Sequence, residues 1–246
     1  MKPSSRRVLL LDEIRGLDII LMVGHHLLYT VGYMFGVGWA RWLFDVLSVI
    51  APFFAAQFIF ISGIACRLSR SNLRRGIWLL LIALGMTGVL YVFMPESVIW
   101  FGVLHLLAVC ILLYTLLRRG VEKLPAWLGI VLCAVLFLLT WWLPPSNGGF
   151  FGIAGVFAWH IPASVQAIPW LFPLGLAHGT SADYFPLLPW VFCFFAGAFV
   201  GRYRFPKWTY RSHCGFLAAT GRVSLFVYLL HQPIIFGIGT LIDQIF

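Results

Sequence analysis

Residues 76–94 read GIWLLLIALGMTGVLYVFM, a run without a charged side chain that directly follows Arg74 and Arg75. A helix that crosses the hydrocarbon core of a bilayer needs about 20 mostly apolar residues, and this run has that length. Further stretches of the chain meet the same criterion. The sequence therefore predicts an all-α polytopic membrane protein of about seven helices, within a range of six to eight. The seven segments are residues 12–35, 45–66, 76–94, 98–117, 124–143, 184–203 and 221–243.

The composition of the whole chain supports the same fold class. Hydrophobic residues make up 61% of the 246 residues and charged residues only 10%, whereas an average soluble domain has roughly 25% charged residues. The net charge of +9 does not indicate nucleic acid, because the basic residues lie in short clusters between apolar runs rather than along one face. We expect membrane lipid as the surroundings. No internal repeat is apparent, so residues 1–246 are predicted to form a single transmembrane domain.

The basic residues also predict the orientation of the chain, because Lys and Arg are enriched in cytoplasmic loops. Of the 17 basic residues, all except Arg41 precede or open the first segment, or lie between segments 2 and 3, 4 and 5, or 6 and 7 or at the facing ends of those segments. A chain of seven helices places all of these regions on one side. We therefore predict a cytoplasmic amino terminus and an external carboxyl terminus. The long loop at residues 144–183 then lies outside.

The predicted first helix is the richest in ionisable residues, which are costly inside a bilayer and mark candidate functional sites. Arg15 and His26 are eleven residues apart, so they lie within about 20° of the same helix face and about 16 Å apart along the axis. Arg15 is then near the cytoplasmic surface and His26 near the midplane, while His25 points about 80° away. Arg15 either pairs only with Asp12 or Asp18 or also has a functional role. His26 either bonds a neighbouring helix or takes part in chemistry.

Three further residues are candidates for a polar cavity or for catalysis. His105 lies in the predicted fourth helix, and His231 lies about halfway through the seventh. Pro233 removes an amide donor there and is expected to kink that helix. Asp183 precedes the predicted sixth helix, where it either caps the helix amino terminus or has a functional role, in which it orients a catalytic histidine or binds an acceptor.

The motifs around these residues resemble two related families of membrane enzymes. Arg15-Gly16 followed by His26 resembles the first-helix motif of the type 3 membrane acyltransferases. Four later stretches, in order along nearly the whole chain, are similar to bacterial relatives of heparan-alpha-glucosaminide N-acetyltransferase. These stretches are Phe58-Ile-Phe-Ile-Ser-Gly-Ile, Phe101-Gly-Val-Leu-His, Asp183-Tyr-Phe-Pro-Leu-Leu-Pro-Trp and Gly221-Arg-Val-Ser-Leu-Phe-Val-Tyr-Leu-Leu-His-Gln-Pro.

The resemblance implies an acetyltransferase that moves an acyl group, usually acetyl, from cytoplasmic acyl-CoA to an amine or hydroxyl acceptor such as a saccharide across the membrane. In the lysosomal branch of the second family, the proposed catalytic histidine lies in the first lumenal loop, but the corresponding residues 36–44 contain no histidine here. The role of His26 as a general base or as an acyl carrier is therefore implied by the type 3 pattern. Further catalytic candidates are Asp183, His105 and His231. Arginines predicted near the cytoplasmic face suit the phosphates of CoA; they are Arg15, Arg67, Arg74 and Arg75.

Several features of this hypothesis stay open at the level of sequence. Members of these families commonly have ten or eleven helices, so this chain is either a minimal core or works with a partner, which includes a homodimer. Acetyl-CoA is expected as donor substrate, no metal is expected, and a bacterial inner membrane is the expected location. The alternative is a transporter or channel with a histidine-lined path. A haem or quinone protein using His26, His105 and His231 is a third hypothesis.

Overall fold

The computed structural model describes residues 7–69, 71–141 and 161–245, with side chains described as far as residue 241. The regular structure of these residues is helical, apart from one isolated bridge between Phe101 and Tyr184. A π-helical turn, Thr30–Met34, continues the first helix. The α-helices are α1 (Leu9–Tyr29), α2 (Gly38–Ser48), α3 (Ala51–Leu68), α4 (Asn72–Phe93), α5 (Val103–Val121), α6 (Ala126–Thr140), α7 (Ala163–Gln166), α8 (Leu187–Val200), α9 (Gly215–Arg222) and α10 (Ser224–Ile245).

Five of the described helical segments are long and apolar enough to cross a membrane. They are Leu9–Met34, Ala51–Leu68, Asn72–Phe93, Val103–Val121 and Ser224–Leu241, while α6 and α8 are shorter apolar helices. Many large apolar side chains on these helices are exposed, such as Leu81 at 53% and Phe226 at 68%. Exposure of this kind is costly in water and favourable in lipid. The prediction of an all-α polytopic membrane protein is therefore confirmed. Seven spans and the sidedness of the termini stay predictions.

Each of the seven predicted segments overlaps a helix, but several boundaries were wrong. The predicted segment 45–66 contains the end of α2, a turn at residues 49–50 and most of α3. Pro52 explains this break, since proline fits the first turn of a helix and not its interior. The predicted segment 98–117 begins too early, because residues 98–102 precede α5. Of the predicted outer loop, residues 144–160 lie outside the described part of the chain. Its described remainder contains α7 and a 3₁₀ helix, Pro169–Leu174.

The chain divides into two compact units, and the boundary falls within α3. The first unit consists of residues 1–58 and 204–246. In this unit α1 packs against α9, α10 and α2. Two glycines allow the closest approach: a Cβ added to Gly16 would meet the carbonyl oxygen of Leu217, and one added to Gly221 would meet the carbonyl oxygen of Asp12. The helices α1 and α9 are thus in direct backbone contact.

The second unit consists of residues 59–203. Its centre is α5, which packs against α4 and α8, and α8 also packs against α6. Along α5 the side chains of Leu106, Cys110 and Ile111 are completely buried. This buried helix carries His105 at its amino-terminal end, so the position of that histidine is defined by the core of the unit. That residues 1–246 form a single domain remains a prediction, which the division into two compact units does not test.

Candidate functional site

The acidic and basic residues at the start of α1 form a local network in the first unit. Asp12 is buried, at 4% exposure, and accepts hydrogen bonds from Arg7, with Nη2 to Oδ1 at 2.8 Å. The same oxygen lies 3.6 Å from Nη1 of Arg15. The hydrogen bond to Asp12 raises the pKa of Arg7. The predicted pairing of Arg15 with Asp12 is confirmed, and Asp12 holds both guanidinium groups at this end of the helix.

Glu13 anchors the chain segment that precedes α9. Its Oε1 accepts hydrogen bonds from the Ser212 hydroxyl at 2.8 Å, from the amide of His213 at 2.6 Å and from the amide of Cys214 at 2.9 Å. A buried carboxylate that accepts several hydrogen bonds from one short segment fixes that segment firmly. Sequence reasoning missed this role, because the partners are about 200 residues away along the chain.

His26 and His231 meet in the first unit. Their ring centroids are 4.9 Å apart, and the rings are arranged edge to face at 77°. His26 lies on α1, and His231 lies on α10 two residues before Pro233, which is inside that helix. The structure therefore brings together two of the four predicted catalytic residues, one from each end of the chain. Arg15 lies on the same helix as His26.

The hydrogen bonds of these two histidines define their tautomers. Nδ1 of His26 is 2.9 Å from the carbonyl oxygen of Met22, and Nδ1 of His231 is 2.6 Å from the carbonyl oxygen of Tyr228. A carbonyl oxygen only accepts hydrogen bonds, so each Nδ1 must carry the hydrogen. In the neutral imidazole, Nε2 of each ring then carries the lone pair. The hydrogen bonds at Nδ1 thus hold both rings, and Nε2 of each is unprotonated in the neutral form.

His25 has different surroundings, as predicted from its helix position. Its Nε2 is 3.0 Å from the hydroxyl of Ser48 on α2, and its ring lies 4.4 Å from that of Phe44. His25 thus contacts α2, whereas His26 contacts α10. The prediction that the two adjacent histidines point to different neighbours is confirmed, and it separates a packing histidine from a candidate catalytic one.

Asp18 is an exception to the pairing seen at Asp12 and Glu13. It is 3% exposed, and both of its carboxylate oxygens lack a hydrogen-bond partner among the described residues. Arg15 forms its ion pair with Asp12, and it also lies close enough to Asp18 to interact with it electrostatically.

In the second unit, His105 uses both of its ring nitrogens. Nδ1 accepts a hydrogen bond from the amide of Gly102 at 3.3 Å. Nε2 therefore carries the hydrogen in the neutral ring, and it lies 3.2 Å from the hydroxyl of Thr87. The Thr87 hydroxyl in turn donates to the carbonyl oxygen of Ile99 at 2.6 Å. These contacts favour a role for His105 in fixing the start of α5 rather than in proton transfer.

Asp183 meets the same helix end. Its Oδ2 accepts a hydrogen bond from the amide of Val103, the first residue of α5, at 3.1 Å. The prediction that Asp183 caps the helix that follows it was wrong, because α8 begins only at Leu187 after Pro186. The reason is a local pairing of two chain segments: the amide of Phe185 donates to Phe101 and the amide of Ala182 donates to Val98. This pairing carries the carboxylate to α5, where it caps an orphan amide.

The three predicted CoA-binding arginines of the second unit lie near helix ends. Arg67 closes α3 and pairs with Glu122, with Nη1 to Oε1 at 3.3 Å, and Arg118 donates to the same oxygen at 2.9 Å. The hydrogen bond from Arg118 lowers the pKa of Glu122. Arg74 is exposed and Arg75 half-buried in the first turn of α4. Arg75 and Arg118 are both close enough to Cys66 to interact with it electrostatically. Basic side chains from α3, α4 and α5 thus gather at one end of the unit.

Among the described residues, no group of three or more His, Cys, Asp or Glu side chains is arranged to hold a metal ion. Two polar residues beside the histidine pair, Thr30 and Gln232, were not predicted from the sequence. The only sequence signal for Gln232 was its place in the family-like stretch that begins at Gly221 and ends at Pro233. Its contact with Thr30 joins parts of the chain 202 residues apart.

The apolar helices and the half-buried imidazole pair define a polytopic membrane protein with a candidate reaction centre inside one helical unit. Residues 7–233 match the family described as heparan-alpha-glucosaminide N-acetyltransferase, catalytic. This match covers most of the chain, so the chain belongs to that family. Membership indicates a transmembrane enzyme of the acetyltransferase type, in agreement with the predicted resemblance. No curated protein and no solved structure matches the chain.

Proposed function

We propose that this protein transfers an acetyl group from acetyl-CoA to an amine or hydroxyl group of a sugar acceptor on the extracytoplasmic side of the membrane. The family description names a glucosaminide N-acetyltransferase, and that supports both the acetyl donor and the sugar acceptor. The observation that carries the proposal is the tautomer of the His26 and His231 pair. Each Nδ1 donates to a helix carbonyl, and each Nε2 keeps its lone pair for an incoming proton.

In the proposed reaction, Nε2 of His26 removes the proton from the acceptor amine or hydroxyl. The acceptor lone pair attacks the carbonyl carbon of the thioester, a new C–N or C–O bond forms, and the C–S bond breaks. The leaving CoA sulfur then takes up the proton held by the imidazole. His231 assists with a second lone pair beside the first. The same nitrogen of His26 has an alternative use as the nucleophile that carries the acetyl group.

The acyl donor has a separate requirement, which is a site for the phosphates of CoA. Arginine meets this requirement well, because its guanidinium group is always charged and binds phosphate in a bidentate manner. Arg74 and Arg75 stand together in the first turn of α4, and amides at a helix amino terminus also favour an anion. We assign the phosphate contact to these two residues. Arg67 already bonds Glu122 and supports the same basic end of the second unit. Arg15, the fourth arginine that the resemblance implied for CoA, lies on α1 in the first unit.

The first test is turnover by the wild-type protein. Purified protein in lipid nanodiscs should release free CoA from acetyl-CoA when D-glucosamine is supplied, and mass spectrometry should detect N-acetylglucosamine. Boiled protein and nanodiscs without protein are the controls. CoA-independent passage of glucosamine through proteoliposomes, without acetylation, would instead support the transporter alternative.

A second prediction concerns the donor site. Arg74→Gln keeps a long polar side chain but removes the charge, so the KM for acetyl-CoA should rise about tenfold, as expected for one lost charge-assisted hydrogen bond. The turnover number at saturating donor should change little. The matched control is Arg119→Gln, which removes an exposed charge of the same unit near the end of α5. Equal effects of the two variants on KM would show that only net charge matters, and that Arg74 makes no specific contact.

A further inference from the structure

Two residues next to the imidazole pair have no part in the reaction as proposed so far. Thr30 is completely buried and lies four residues after His26, so it shares a helix face with that histidine. Gln232 follows His231 directly on the opposite helix. Nε2 of Gln232 donates to the hydroxyl oxygen of Thr30 at 3.2 Å. The pair of Thr30 and Gln232 therefore connects the π-helical turn after α1 to α10, about one turn from the contact between His26 and His231.

This connection leaves an acceptor without a donor. Oε1 of Gln232 and Nε2 of His231 are both shielded from solvent, and neither has a hydrogen-bond partner among the described residues. Both atoms only accept hydrogen bonds in these states, so they cannot satisfy each other. Leaving such an acceptor buried and unpaired is costly, and native structures rarely do so. These two unpaired acceptors, on consecutive residues of α10 beside the histidine pair, are candidates for a hydrogen-bond donor from a bound substrate.

We propose that Gln232 is a substrate-binding residue whose Oε1 accepts a hydrogen bond from one N–H of the amine that is to be acetylated. Thr30 is its positioning residue, because the bond to Nε2 fixes the orientation of the amide. The inference rests on the proposed function, since it assigns a residue to the acceptor side of that reaction. A neutral amine has two N–H hydrogens, so Oε1 of Gln232 holds one of them and the amine presents the other to an imidazole Nε2.

The decisive experiment measures KM separately for D-glucosamine and for acetyl-CoA in three variants. Gln232→Met keeps the size of the side chain and removes both polar atoms, so the KM for glucosamine should rise about tenfold, the effect of one lost hydrogen bond. The KM for acetyl-CoA should stay within about twofold, because a distortion of the whole site would raise both KM values, whereas a loss of folded protein would lower only the maximal rate. Gln232→Glu keeps an acceptor oxygen but loses the Nε2 that donates to Thr30, so it should raise the KM for glucosamine by a smaller factor than Gln232→Met does.

A second pair of variants keeps the test valid if Gln232→Met does not fold. Thr30→Val removes the hydroxyl that orients the amide, so it should raise the KM for glucosamine in the same direction by a smaller factor. Thr30→Ser keeps the hydroxyl and should restore the wild-type value. The inference is wrong if Thr30→Val leaves the KM for glucosamine unchanged, if acetyl-CoA is the substrate affected, or if Gln232→Glu behaves like Gln232→Met.

The failure of this inference is distinct from the failure of the proposed function. A wild-type protein that acetylates glucosamine, with Gln232 and Thr30 variants that match it, contradicts the inference alone. A wild-type protein that releases no CoA in the presence of glucosamine contradicts the proposed function, and the inference falls with it.

Discussion

His26→Asn is expected to lower kcat/KM for acetyl transfer about 10³-fold while the protein remains folded. A positioned general base contributes roughly 10²–10⁴-fold to such a reaction. Asparagine is the informative replacement because its side-chain amide occupies the place of Nδ1 and can still donate to the carbonyl oxygen of Met22. It has no atom in the place of Nε2. The variant therefore removes the proposed base and keeps the hydrogen bond that orients it. The measurement is the initial rate of CoA release with D-glucosamine present.

The matched control is His25→Asn, one residue earlier on the same helix. His25 contacts Ser48 and Phe44 and has no assigned role, so its variant should keep activity within about threefold of wild type. A loss in His25→Asn as large as that in His26→Asn would mean that the activity depends on the packing of α1 and not on the lone pair of His26. Full activity of His26→Asn would remove His26 from the mechanism altogether.

The histidines show which parts of the candidate site could be predicted from the sequence. The spacing of Arg15 and His26 correctly separated His26 from His25, because helix geometry alone decides which face a residue occupies. His105 and His231 could not be separated in this way. What distinguishes them is the partner of Nδ1: an amide donor at His105 and a carbonyl acceptor at His231. That difference depends on the local backbone, which a pattern of residue types does not contain.

Asp183 marks a second limit. A carboxylate shortly before an apolar run is typical of a helix cap, and Asp183 does cap a helix. The helix it caps, however, starts 80 residues earlier in the chain. The assignment required the pairing of residues 98–101 with residues 182–185, which is a long-range contact without a periodic signal. The apolar helices were easier to predict, because hydrophobicity over about 20 residues is a local property.

The sequence did not predict the helix α2, because its length and composition give no signal for a membrane-spanning segment. It is only 11 residues long, too short for the criterion used to find spanning segments. Its exposed Trp39 and Trp42, with Arg41 between them, gave no long apolar run. Gly32, in the π-helical turn that precedes α2, allows this turn to pack closely against α2, since a Cβ on Gly32 would meet the backbone of Arg41. The sequence contains the glycine, but its purpose becomes apparent only when the neighbouring backbone is known.

Gly16→Ala is expected to destabilise the first unit by about 3 kcal/mol, at the upper end of the usual range for overpacking. The added Cβ would meet the carbonyl oxygen of Leu217 and would lie 3.0 Å from the amide nitrogen of Gly221. Both are backbone atoms, so no change of side-chain rotamer can relieve the contact, and α1 must move away from α9. The thermal unfolding midpoint of the purified protein should fall by on the order of 10 °C, from the usual relation between stability and Tm for a chain of this size.

Gly24→Ala is the matched control on the same helix. A Cβ at position 24 would meet nothing within 4 Å, and alanine favours the helix by about 0.8–1.0 kcal/mol relative to glycine. Gly24→Ala should therefore leave the midpoint unchanged or raise it slightly, whereas the same substitution at residue 16 lowers it. Similar midpoints for the two variants would contradict direct backbone contact between α1 and α9. The expected difference would explain the glycine of the Arg15-Gly16 motif: the arginine is held by Asp12, and the glycine brings the backbone of α1 against α9.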